Sequence, residues 1–121
     1  RIGYLMLRKG NWNGKQIIPE RWVERTTRAR TPVEHMNPDP YREGLFGYGY
    51  MWWVCDGPAV PDSYKGAYTA SGAYGQFIAV LPALDMVIAH KTAVPPYSRR
   101  TSLAQLRGII DRLIAARTQS P

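Results

Sequence analysis

The stretch T-A-S-G-A-Y-G-Q-F-I-A-V-L-P-A-L-D-M-V-I-A-H-K, residues 69–91, holds two apolar runs, 77–81 and 86–89, separated by Pro82-Ala83-Leu84-Asp85. Both runs are too short for helices and turn chemistry lies between them. They predict an antiparallel hairpin over 76–81 and 86–91, with a further short strand at 67–71. A glycine-studded turn, Ser71-Gly72-Ala73-Tyr74-Gly75, stands just ahead of the hairpin. Glycines there let a backbone N–H approach a ligand oxygen with no side chain in the way, and two such donors make an oxyanion hole. Equally, the turn is only a turn. On the first reading, Gly72 and Gly75 serve backbone freedom and close approach.

Upstream, Gly47-Tyr48-Gly49-Tyr50-Met51-Trp52-Trp53-Val54 reads as one strand with Tyr48, Tyr50, Trp52 and Val54 on one face. Trp52 and Trp53 then point to opposite faces. Residues 31–44, rich in Pro, Asn and Asp, read as a loop. Helices are expected within 1–28. Gly10 is placed as a helix stop, Asn13-Gly14 is a tight-turn signal, and Pro19 suits the first position of a second helix that runs to about 28. Trp22, Val23 and Thr26 share one side of it. Residues 1–9 look like the middle of a helix with no capping residue ahead, which predicts a piece of something longer. Downstream, Pro95-Pro96 breaks the chain. A helix over 102–116 follows, with Ser102 and Gln105 as a capping box and Leu103, Leu106, Ile110, Leu113 and Ile114 on one stripe. The order helix, helix, antiparallel strands, helix is α+β, with helices packed on one face of the sheet.

A chain of 121 residues suits one domain. Sixteen Lys and Arg against nine Asp and Glu give a formal charge of +7. That favours acidic partners only weakly, and neither nucleic acid nor membrane is expected as a partner. The single Cys55 excludes an internal disulfide and a Cys-rich zinc site, and it reads as a small core hydrophobe. His35 and His90 lack any metal-ligand spacing, and Gly72-Ala73-Tyr74-Gly75 lacks both nucleotide-binding glycine patterns, so neither a metal nor a cofactor is expected. Of Ser63, Ser71, Ser98, Ser102 and Ser120, none lies in a G-x-S-x-G elbow and none has Lys three residues on. A serine without a positioned base is inert. The residues by themselves therefore offer a scaffold and no complete active site.

Four segments carry a family likeness: G-N-W-N-G-K-Q-I-I-P-E-R-W-V (10–23), Y-G-Y-M-W-W (48–53), A-S-G-A-Y-G-Q (70–76) and L-P-A-L-D-M-V-I (81–88). In this order they resemble the C-terminal third of the serine β-lactamase-like hydrolases, a family of class C β-lactamases, esterases, D-amino-acid peptidases and 6-aminohexanoate-dimer hydrolases. The likeness runs through nearly the whole chain. It implies a single segment, 1–121, of the β-lactamase/transpeptidase-like fold, an antiparallel sheet with helices on both faces. It also implies an acyl-enzyme mechanism. In that mechanism a Ser attacks a carbonyl, the Lys of S-x-x-K and the Tyr of Y-x-N move protons, and a K-T-G or H-x-G motif lies on a strand beside the site.

No S-x-x-K, Y-x-N or S-x-N occurs here, and the third motif, due near 67–75, is neither K-T-G nor H-x-G. Lys91-Thr92-Ala93 looks like K-T-G but ends the next strand, so it reads as a decoy. The resemblance implies that no catalytic residue lies in this chain and that the amide of Ala70 or Ser71 serves as an oxyanion donor. Tyr68 and Tyr74 would supply a site-facing hydroxyl, and Gly75 would belong to the same turn. Loss of the cationic motif points to an ester or amide substrate with an uncharged flank. The expected partners are the N-terminal remainder of the same hydrolase, or a second copy of this chain. The competing readings are a non-catalytic interaction module on the same scaffold and a basic nucleic-acid binder.

Overall fold

A computed structural model describes residues 1–92 and 100–118. The expected break at Pro95-Pro96, together with Ala93, Ser98 and Ser120, lies outside the described residues. The elements are α1 (Ile2–Leu7), β1 (Asn11–Trp12), β2 (Lys15–Gln16), α2 (Glu20–Thr26), β3 (Phe46–Tyr48), β4 (Trp53–Cys55), β5 (Tyr68–Ser71), β6 (Phe77–Leu81), β7 (Met86–His90) and α3 (Leu103–Thr118). Strands β3 to β7 form a five-stranded antiparallel sheet in sequence order, and β1 and β2 form a separate hairpin. The fold is α+β and compatible with the C-terminal part of a β-lactamase-like fold.

The predicted β6–β7 hairpin is present, registered from Phe77↔His90 to Leu81↔Met86. A 3-10 turn over Pro82–Leu84 and a left-handed Asp85, φ +49°, close it. Alternation along β6 separates two cores. Phe77, Ala79 and Leu81 pack with Cys55, Tyr64, Ala67, Leu106 and Ile110. Val80 packs with Met6, Val23, Val54 and Tyr68. Helices α1 and α2 therefore cover one face and α3 the other. The residue-based expectation of helices on one face only is corrected, because β6 is apolar on both sides and needs cover on both.

Asn13 and Gly14 close the β1–β2 hairpin at φ +49° and +84°, the geometry the Asn-Gly pair favours. Helix α1 stops where expected: the Gly10 N–H donates to the Leu5 carbonyl at 2.8 Å, with Gly10 at φ +84°. Pro19 is the residue before α2, with ψ at +132°, so the helix begins one position later than expected. Val23 and Thr26 are buried, but Trp22 is not. It stands one 100° step round from Val23 and stacks on Tyr50 instead, at 6.2 Å.

The largest correction concerns 47–54. It is two strands, not one. Tyr48 pairs with Trp53, and residues 49–52 form a turn in which the Gly49 N–H donates to the Trp52 carbonyl at 2.7 Å and Met51 has φ +65°. The end of α2 imposes this turn, since the Thr26 carbonyl accepts from the Tyr50 N–H at 2.9 Å. Tyr50 thus leaves the face of Tyr48, and its ring lies 5.1 Å from the Arg30 guanidinium. Trp52 and Trp53 do face opposite sides: Trp52 packs edge-on to Tyr68 in the α1 core, and Trp53 contacts Tyr48 and Tyr41.

The α3 capping box forms in both directions. The Ser102 N–H donates to Gln105 Oε1 at 2.9 Å, and the Gln105 N–H donates to Ser102 Oγ at 3.2 Å. Ser102→Ala is expected to lower stability by about 1 kcal/mol, read as the urea midpoint at unchanged slope. Leu106 and Ile110 are buried against the sheet, whereas Leu113, at the margin of the stripe, is exposed.

Candidate functional site

Residues 72–76 close on themselves. The Gly72 N–H donates to the Gln76 carbonyl at 2.8 Å and the Gly75 N–H to the Gly72 carbonyl at 3.0 Å. The Tyr74 N–H donates to Gln76 Oε1 at 2.9 Å. Neighbouring elements hold the turn from outside. Thr92 Oγ1 donates to the Tyr74 carbonyl at 2.7 Å. His90 Nδ1 lies 3.0 Å from the Gly75 carbonyl, with its Nε2 3.5 Å from Thr101 Oγ1. Lys91-Thr92, set aside by sequence as a decoy at the end of this strand, follows β7, which stops at His90, and Thr92 braces the turn.

The two glycines differ. Gly75 sits at φ +81°, and a Cβ there would collide with the Arg100–Thr101 backbone, 2.7 Å from the Thr101 carbonyl oxygen. Gly72 has no positive φ, and a Cβ would meet only the flexible Gln76 side chain. At Gly75 the backbone that comes close belongs to the chain leading into α3, and at Gly72 no backbone does.

Hydrogen-bond alternation separates the two candidate donor amides. Gly72 bonds towards β6, and Ala70 pairs with Ile78 two residues earlier, so the Ala70 N–H also faces β6. The Cys55 N–H bonds to the Ala67 carbonyl, so odd-numbered positions of β5 face β4. Strand β4 begins at Trp53, opposite Thr69. Beyond that pair β4 supplies no partner, and among the described residues the Ser71 N–H lies along an open strand edge. Ser71 itself is exposed.

The other predicted positions separate. Tyr68 is 6% exposed and stacks on Trp52 inside the α1 core, where burial pushes its hydroxyl up to about 12. Tyr74 is exposed, at 41%. The structure thus brings Ser71, Tyr74 and Gly75 to one end of the sheet and puts Tyr68 within it. Tyr68 follows Ala67 and precedes Thr69, so its strand parity places it on the α1 side, opposite Ser71.

Sequence reasoning missed a cleft on the α3 side. It has a volume of about 230 Å³ and is lined by Tyr41, Phe46, Trp53, Leu103, Ala104 and Arg107, among others. Trp53 is its link to the turn, because Trp53 pairs with Thr69 and Ser71 lies two residues further on the same face of β5. Diagonal neighbours of this kind are about 7–8 Å apart, within reach of an aromatic side chain. The cleft depends on splitting 47–54 into two strands, which no residue type in the stretch announces.

Cys55 is buried, and that burial pushes its thiol up to about 12. A thiol of that kind packs and does not attack. The raised Cys55 and Tyr68 groups stay protonated in the fold while the unfolded chain loses protons above about pH 8.5 and pH 10 respectively. The unfolded state then binds fewer protons, so stability falls as pH rises from about 8.5 to about 12. We expect the urea midpoint to drop between about pH 8 and pH 10, with Cys55→Ala flattening the first part of that slope. Among the described residues no three His, Cys, Asp or Glu side chains come together, and no helix is long and apolar enough to cross a membrane.

No family model and no curated protein matches the chain. Among solved structures, the putative 6-aminohexanoate-dimer hydrolase from Bacillus anthracis is similar over 95% of this chain, with a TM-score of 0.59 and 25% sequence identity. The chain spans 26% of that hydrolase.

Proposed function

We propose that the chain is one segment of a serine hydrolase of the β-lactamase-like type, acting on an ester or amide through an acyl-enzyme. The observation that carries this reading is the edge of β5 left open among the described residues, with the Ser71 N–H outside the ladder, in a fold similar to a hydrolase's over nearly the full chain. In the reaction this wall gives a hydrogen bond to the carbonyl oxygen as negative charge develops on it. Nucleophile and base come from outside residues 1–121, from the remainder of the same protein, and the partner of this segment is that remainder. Residues 67–75 contain no Lys, Arg or His. No cation on this stretch would then pair with a substrate carboxylate, which favours an uncharged flank.

The test is a fluorophosphonate probe on the longest protein that contains this chain, followed by peptide mapping. The expected adduct lies on a serine outside 1–121, and the 121-residue chain alone should turn over neither nitrocefin nor p-nitrophenyl acetate. An adduct on Ser63, Ser71 or Ser102, or turnover by the chain alone that survives Ser71→Ala, would overturn the reading.

A further inference from the structure

The cleft between β3, β4 and the first two turns of α3 has the composition of a small-molecule site. Three aromatic side chains line it: Tyr41, Phe46 and Trp53. Trp53 is fixed on two sides, its ring 5.2 Å from Tyr48 and 5.8 Å from Tyr41. The opposite wall is Leu103, Ala104 and the stem of Arg107, carried by a helix whose start is set by the capping box. Rigid aromatic walls with few polar groups suit a flat apolar ligand, which such a cleft takes out of water on two sides.

Charge and size narrow the ligand. The Arg107 guanidinium lies 3.8 Å from the Asp111 carboxylate, one helical turn on, so the charge at the rim has a partner of its own. A volume of about 230 Å³ has room for one ring with a short linker, or for a chain of several methylenes. Ser71 is the diagonal neighbour of Trp53 on the same face. A carbonyl held at the Ser71 amide therefore places its apolar substituent towards Trp53.

We propose that this cleft is the subsite for a neutral, apolar flank of the substrate, an aryl or medium-chain acyl group. The assignment rests on the hydrolase reading given above and extends it to a substrate class.

Two measurements test it. The first uses the chain itself: phenylacetamide is titrated into isotopically labelled protein, and the Trp53 indole and Ala104 methyl resonances are followed. Saturable shifts confined to the cleft are expected, and they should vanish in Ala104→Phe, which fills the cleft from the exposed side of α3 at an unchanged melting temperature. The second uses the intact hydrolase with p-nitrophenyl phenylacetate against p-nitrophenyl acetate. Ala104→Phe should raise KM for the phenylacetyl ester about tenfold relative to that for the acetyl ester, since only the larger group uses the cleft. No saturable shift at Trp53, or shifts spread over other surfaces, overturns the site. Binding in the cleft with an unchanged ratio between the two esters overturns the subsite assignment. Loss of both activities in the unmodified intact protein would instead remove the hydrolase reading, and the subsite role with it, while the resonance shifts would still report whether the cleft binds.

Discussion

Ser71→Pro, in the hydrolase proposed to contain this chain, is expected to lower kcat/KM by about 100-fold or more, because one oxyanion donor is worth about 3 kcal/mol in the transition state. Proline removes the Ser71 N–H and also its hydroxyl, so Ser71→Ala, which keeps the N–H, is the control for the hydroxyl. Ala70, which precedes it, is already extended, and proline is accepted on a strand edge whose N–H faces outward. Stability should therefore shift by less than about 1 kcal/mol. Ala70→Pro is the contrasting substitution. Its N–H faces Ile78 within the sheet, so its loss removes a ladder hydrogen bond and leaves the Ile78 carbonyl only the Thr69 hydroxyl at 3.1 Å, at a cost of about 1 kcal/mol or more in stability. Kinetics and thermal midpoint measured on both variants distinguish the two amides. A Ser71→Pro enzyme with unchanged kcat/KM would remove Ser71 as the donor. Equal kinetic losses at both positions, tracking the midpoint, would mean that the turn acts only through stability.

Gly75→Ala should be the most destabilising single methyl in the turn, at about 3 kcal/mol or more. Two effects add. A left-handed φ costs a non-glycine residue about 1–2 kcal/mol, and the new Cβ must displace the backbone of residues 100 and 101, which cannot yield as a side chain can. The damage should spread to α3, because the same backbone leads into its capping box. Gly72→Ala should cost less than about 1 kcal/mol, since Gln76 can move aside. Chemical denaturation of the two variants, with helical ellipticity as one probe, makes the comparison. Equal costs at Gly72 and Gly75 would show that the approach to Thr101 does not constrain the turn.

Much of the architecture was legible in the residues. The Asn13-Gly14 turn, the stop at Gly10, the hairpin around Pro82 to Asp85 and the Ser102–Gln105 box are local features. Each is set by the backbone preference or side-chain reach of two to five residues, and short-range chemistry of that kind can be read without knowing what lies nearby. The apolar runs 77–81 and 86–89 fixed the centre of the sheet for the same reason: alternation is written into the strand itself.

The candidate site was only half legible. Sequence located the turn at 71–75 and left Ala70 and Ser71 as alternatives, because the direction of an amide depends on which partner strand its neighbours pair with. That pairing ends at Trp53↔Thr69, and it ends there because residues 49–52 turn back on the carbonyl of Thr26. A contact across some twenty residues, made by backbone atoms common to every residue type, leaves no mark in composition or periodicity. The burial of Tyr68 against Trp52, the bracing of the turn by His90 and Thr92, and the cleft beside Trp53 have the same origin. Local sequence determined the elements and their turns. Tertiary structure alone decided which edge of β5 is open and which aromatic side chain stands beside it, since both follow from where strands stop pairing, and that is set by long-range packing and hydrogen bonding.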